Sequence, residues 1–214
     1  MSKENNKTAR NKKRGYDLES RPENKQRLRD YVQQDDWIID FLKRTPMGYF
    51  GTRWDEQPFV HPMTFWYDQD EHCIYMHGAL IGRRDANTKR HEKISFCAAE
   101  MGKLLPSNKA LEFSTQYRSV MVFGEIVEVT TPEEKAHCFY GLINKYFTEM
   151  EVNKDFSPIE DIDIKRTKAY KIKITSWSGK ENWEEAAEVS PDFPELDKKW
   201  LEDGMFPMSY GKMG

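Results

Sequence analysis

Only three cysteines, Cys73, Cys97 and Cys138, occur in the 214 residues. Three cannot all pair, and they lack the close paired spacing of a zinc site, so buried thiols are expected. No apolar run approaches the ~20 residues that a membrane helix needs. The start, MSKENNKTARNKKRGYD, is basic but has no apolar stretch behind it. A secretory signal is therefore not expected, and the cytoplasm is the expected compartment. The formal net charge is only -3, which gives no global polyanion-binding character. The serines have no nucleophile elbow, the cysteines no electropositive helix start and the histidines no zincin spacing. GxGxxG is missing as well, and no metal site is expected. Side chains alone do not suffice for difficult chemistry here, so a bound cofactor is expected to supply it.

An aromatic fraction of 13% argues for a packed core, and the length suits one domain with tails. Residues 1–34 are polar, with Lys and Arg diluted by Glu4, Asp17, Glu19, Glu23 and Asp30 and without interleaved aromatics. A flexible arm is the expectation there, and nucleic-acid binding is not. Residues 35–180 carry the periodic patterns and residues 181–214 form a tail with Pro191, Pro194 and Pro207.

From Asp35 as N-cap, Trp37, Ile38, Phe41 and Leu42 fall at helical spacing until Thr45 and Pro46. Strands are expected over 47–53, 59–66, 73–77 and 94–99, the last buried on nearly both faces, with a loop over 101–110. Residues 113–130 form the longest β pattern, and Gly124 inside it suggests the bulge that a small barrel needs to close. Thr131, Pro132 and Glu134 open a helix as N-cap, N1 and N3, with Ala136, Phe139, Tyr140, Ile143 and Phe147 as its apolar stripe. Residues 150–165 read as a connection, and 167–177 as a half-exposed last strand that Ser178 and Gly179 end.

The chain is organised around residues 59–84, FVHPMTFWYDQDEHCIYMHGALIGRR. Phe59, His61, Met63 and Phe65 alternate with Val60, Pro62, Thr64 and Trp66, and a proline in mid-strand requires an edge or a bulge. Small residues then recur at Gly78, Ala79 and Gly82 before Arg83 and Arg84. Two readings fit this segment: a phosphate site, since guanidinium groups match phosphate oxygens bidentately, or a solvated turn. Lys89, Arg90 and His91 extend the positive surface or form a solvated helix face.

The order YFGT, QPFVHPMTFWYD, IYMHGALIG, ISFCAAE, YRSVMVFGEIVEV and TPEEK resembles the FMN-binding split-barrel superfamily. Within it, the chain is similar to the branch related to pyridoxamine 5'-phosphate oxidase that contains the nitroimidazole-resistance proteins. HPM, HGA and YRSVMVFG are the most specific pieces. The resemblance implies a mostly β, antiparallel, homodimeric split β-barrel with FMN at the dimer interface. Its flavin-contacting strands match His61, Pro62, Met63 and Thr64, then His77, Gly78 and Ala79, with Gly82, Arg83 and Arg84 at the phosphate. It also implies that Tyr117, Arg118 or Trp177 reaches the neighbour's flavin. The activity implied is reduction of a small organic acceptor, nitroimidazole-like, with electrons from NAD(P)H, and His61 or Arg118 stabilising the acceptor's charge. The alternatives are a pyridoxamine phosphate oxidase-type enzyme and a non-catalytic flavin- or haem-binding module. His61 also reads as a structural histidine, His77 as a strand-end anchor, Arg118 as a salt bridge and Trp177 as interface packing.

Overall fold

The computed structural model describes residues 25–201. The expected arm therefore lies largely outside the described residues. One eight-stranded sheet dominates, made of β1 (Val32–Gln33), β2 (Gly48–Trp54), β3 (Gln57–Met63), β4 (Trp66–Asp68), β5 (Cys73–Gly78), β6 (Lys93–Leu105), β7 (Ser114–Val129) and β8 (Lys168–Asn182). The pairing order is β3-β2-β6-β7-β8-β5-β4, every pair is antiparallel, and β1 adds to β8. The two ends of this order, β3 and β4, are consecutive in the chain and joined only through Thr64 and Phe65. The sheet must therefore curl until its ends meet, which makes it a split β-barrel rather than an open sheet.

Four α-helices occur among the described residues: α1 (Asp35–Arg44), α2 (Arg83–Arg90), α3 (Pro132–Tyr146) and α4 (Asp161–Arg166). The barrel core combines Ile38, Phe41 and Leu42 of α1 with Phe50, Phe65, Phe96, Val120, Val122 and Ile172. The helix thus plugs the barrel with Ile38, Phe41 and Leu42, three of the residues at its apolar spacing. A second cluster, Cys73, Tyr75, Val129, Cys138, Leu142 and Ala169, lies between α3 and the sheet. Residues 73–76 are consequently buried on both faces. Thr131 accepts a hydrogen bond from the Glu134 N–H, the cap that the sequence announces. The β7–β8 register shifts between Phe123 and Gly124, where the bulge is expected.

Several expectations are corrected. β6 runs through to Leu105 where a loop is expected, because a register shift between Met101 and Leu104 absorbs Gly102. Its first half alternates buried and half-exposed residues instead of being buried on both faces. β8 continues past Lys180 to Asn182. The buried face of α3 is Cys138, Gly141 and Leu142, while Phe147 is exposed. Trp66 sets that rotation, since a Cβ at Gly141 would meet its ring at 2.1 Å. Beyond β8 the chain is strapped to the β6–β7 loop: Ser107 donates to Glu188 O at 2.6 Å, and Asn108 donates to Ser190 O at 2.9 Å. No helix among the described residues is long and apolar enough to cross a membrane.

Candidate functional site

The central stretch folds into three pieces that converge. β3 is the terminal strand of the sheet and pairs only with β2, so a proline is tolerated at 62 on its outer side, where the backbone groups of alternate residues have no strand partner. β5 ends at Gly78, and α2 begins immediately after Gly82. Gly82 has φ +154, a conformation that side-chain-bearing residues rarely adopt, and open space where a Cβ would point.

Arg84 is the meeting point. Its guanidinium donates to the Met63 sulfur and lies 5.4 Å from the Tyr170 ring. It also packs so closely on Gly78 that a Cβ there would fall 1.1 Å from Nη2. Glycine at 78 is thus a condition for Arg84 to reach the strand end. Burial lowers the Arg84 pKa from its usual value. Burial, then the Arg84 charge, lowers the pKa of both His61 and His77, which favours neutral imidazoles. Arg83 turns the other way, 5.2 Å from the Trp54 ring and 5.5 Å from the Phe59 ring. Neither arginine forms an ion pair among the described residues, and no side chain caps α2. Two guanidinium groups without a carboxylate ion-pair partner at the uncapped start of α2 form a positively charged corner.

Asp85, the third residue of α2, fixes this corner. Its buried carboxylate accepts from Lys168 at 2.5 Å, Lys89 at 2.9 Å and Tyr170 at 3.0 Å. Burial by itself would raise its pKa, but these donors hold it at about 2. The carboxylate is therefore spent on anchoring α2 to β8 and leaves the arginines unpaired.

His61 lies 5.0 Å from the Phe50 ring and 6.4 Å from the Phe59 ring. Its Nε2 is 2.8 Å from Thr52 Oγ1, which accepts from Asn87 Nδ2 at 2.9 Å. His77 packs edge-on against Phe139 at 6.3 Å. Thr64 and Ala79 are exposed at the strand ends.

The structure thus gathers His61, Met63, His77, Gly78 and Arg84 with Gly82 and Arg83 close by. It does not bring Tyr117, Arg118 or Trp177 to them within one chain. Arg118 is answered by Glu181 and, at 3.0 Å, by Glu100, and its guanidinium lies 3.7 Å from the Trp183 ring. Glu181 is near the end of β8 and Tyr170 near its start, so Arg118 and Arg84 occupy opposite ends of that strand. Tyr117 lies 4.9 Å from the Lys180 ammonium. Trp177 donates to Asp35 at 2.9 Å and packs on His72 at 4.6 Å.

The sequence reading missed Thr52, Asp85, Asn87, Lys168 and Tyr170. Only the i,i+4 spacing of Asp85 and Lys89 carries a local signal. A second polar group lies elsewhere: Asp68, Glu71 and His137 place ligand atoms within 4.8 Å of one another. His137 Nε2 and Asp68 Oδ2 already satisfy each other at 2.7 Å, and Lys171 answers Glu71 at 3.2 Å. The cysteines are all free thiols, with Cys73 and Cys138 buried and pushed up to about 12 chiefly by that burial.

Comparison with known proteins agrees with the split-barrel fold. The family model described as pyridoxamine 5'-phosphate oxidase matches residues 34–181. A candidate 5-nitroimidazole antibiotic resistance protein from Bacteroides thetaiotaomicron is 22% identical, with TM-score 0.57 over 70% of this chain and 85% of that one. A flavocytochrome from Azotobacter vinelandii is 20% identical, with TM-score 0.67 over 80% of this chain and 79% of that one. An FAD- and haem-binding protein from Mycobacterium smegmatis is 16% identical, with TM-score 0.66 over 74% of this chain and 76% of that one. At these identities the likeness is one of fold. No curated protein matches the chain.

Proposed function

Because the chain belongs to the pyridoxamine 5'-phosphate oxidase family over residues 34–181, we propose that its Arg84 corner binds a flavin, FMN, and that the protein reduces a small organic acceptor with electrons from NAD(P)H. The observation that carries this reading is the pair of arginines without carboxylate partners at the uncapped start of α2. The donor set fits the group. A phosphate carries nearly two charges and needs several donors, which Arg83, Arg84 and the first N–H groups of α2 provide. Gly82 leaves open space at the corner, and Gly78 lets Arg84 pass. On the side of β3 away from β2, backbone groups of Pro62 and of Thr64 just beyond the strand suit the pyrimidine-like edge of the ring system.

A flavin held there by Arg83, Arg84 and the start of α2 would supply the redox chemistry, a two-electron transfer from a reduced nicotinamide to the acceptor. The chain's own residues bind and orient. Arg83 and Arg84 neutralise the phosphate, and β3 fixes the ring edge. His61, neutral beside Arg84, donates a hydrogen bond to the charge that develops on the acceptor, a role commonly worth about 3 kcal/mol per donor. His77 and Ala79 border the strand end. In this reading two copies pair, and Tyr117, Arg118 and Trp177 belong to the surface that one copy offers the other's flavin. A nitro compound is the acceptor class suggested by the fold's likeness to the Bacteroides protein.

The test is an absorbance spectrum of the protein with added FMN, followed by anaerobic addition of NADH or NADPH and then of a nitroimidazole. Flavin bands that bleach with nicotinamide and return with the nitro compound are expected. Bound flavin that no nicotinamide reduces would leave a storage module in place of a reductase.

A further inference from the structure

We propose that Thr52 and Asn87 are positioning residues that hold His61 as its Nδ1–H tautomer, through a buried relay running from the Asn87 amide through the Thr52 hydroxyl to Nε2. Asn87 is 0% exposed and Thr52 5%. Asn87 Nδ2 lies 2.9 Å from Thr52 Oγ1, which lies 2.8 Å from His61 Nε2. A hydroxyl has one proton to give and lone pairs to receive. Here its oxygen already accepts from the amide, and Nε2 is the acceptor in reach for its proton. Were Nε2 protonated, Thr52 would accept twice and bury its own proton without an acceptor, which folded proteins rarely do.

The sense of the relay depends on which way the Asn87 amide faces. As it stands, the Asn87 Oδ1 is the one atom of this relay left without a partner. The reverse orientation would leave the NH2 group orphaned, and a buried unpaired N–H is rarer than an under-satisfied carbonyl. Phe50 of β2 and Phe59 of β3 flank the His61 ring. From α2, Arg84 is the charged group that acts on it, and its effect favours the neutral imidazole, as burial does.

The functional consequence rests on the reading of His61 as a ligand-facing residue. Its proton sits on the nitrogen that Thr52 does not hold, so His61 can donate to an acceptor without itself carrying charge. Thr52 and Asn87 touch no ligand and act only through the ring.

Long-range proton–nitrogen correlation spectra of the histidine side chains test this on the full chain without any flavin. The chain has five histidines, and His61→Gln assigns the one in question. A pyrrole-type shift at Nδ1 and a pyridine-type shift at Nε2 are expected. Thr52→Val should lose that signature and Thr52→Ser restore it, whereas loss of packing alone would not be repaired by serine. A wild-type Nε2–H pattern, or an unchanged pattern in Thr52→Val, overturns the relay. The readout is independent of flavin. A protein with the Nδ1–H signature that takes up no FMN removes the flavin reading and leaves this inference standing.

Discussion

The placement of the Asp85 carboxylate decides how much positive charge Arg83 and Arg84 present at the start of α2. If its carboxylate faced Arg83 or Arg84, it would cancel one of the corner's two positive charges. It is held instead by Lys168, Lys89 and Tyr170. Its pKa is thereby depressed from 3.8 to about 2. A depressed carboxylate contributes stability that is fully present above its unfolded pKa and is lost as pH falls through the folded value. Asp85→Asn should therefore lower the thermal midpoint at neutral pH, with the gap to wild type closing between pH 3.8 and about 2. Thermal melts across that range check this, and a gap that stays constant with pH would show that the carboxylate charge is not what matters. None of this is legible from the sequence, where Asp85 is one acid in a polar run. The partners Lys168 and Tyr170 are brought to it by the sheet. Thr52 and Asn87 escape notice for the same reason. Gly78, Arg83 and Arg84 were legible because tight backbone and clustered cations are local signals.

Among the secondary-structure elements, the start of α3 and the strands β2, β5 and β7 were read close to their observed bounds, whereas the second half of β6, the end of β8 and α4 were not. The N-terminus of α3 has a cap, a proline and an acidic first turn in four consecutive residues, and the structure shows the cap hydrogen bond at 3.3 Å. Thr131→Ala removes the acceptor and should cost about 1 kcal/mol of stability. A lower urea midpoint with an unchanged slope is the expected result; an unchanged midpoint would mean that tertiary packing alone sets the start of the helix. The second half of β6 was misread because Gly102, Pro106, Ser107 and Asn108 have loop composition. Pairing with β7 overrides that composition, and the irregularity after Met101 takes up the mismatch. In α3 the buried stripe is set by Trp66 against Gly141, a contact between distant parts of the chain. Such long-range contacts determine rotation, and no periodicity reports them.

The architecture itself followed from the order of motifs, since curling the sheet brings its two ends, β3 and β4, together around α1. The strap of residues beyond β8 onto the β6–β7 loop did not follow, because its hydrogen bonds run from Ser107 and Asn108 to backbone carbonyls of a segment with no pattern of its own. The curled sheet places the free edge of β3, the end of β5 and the start of α2 side by side, and the central claim is that this junction binds a flavin through its phosphate. The most direct test is a fluorescence-quenching titration of FMN against riboflavin, which lacks the phosphate, with wild type, Arg83→Gln and Arg84→Gln. Each charge-assisted hydrogen bond is worth about 1.5–3 kcal/mol, so wild type should prefer FMN and each variant should bind it roughly 10–100-fold more weakly. Riboflavin binding should barely change. Equal affinity of wild type for the two flavins, or FMN binding indifferent to both arginines, would contradict the assignment.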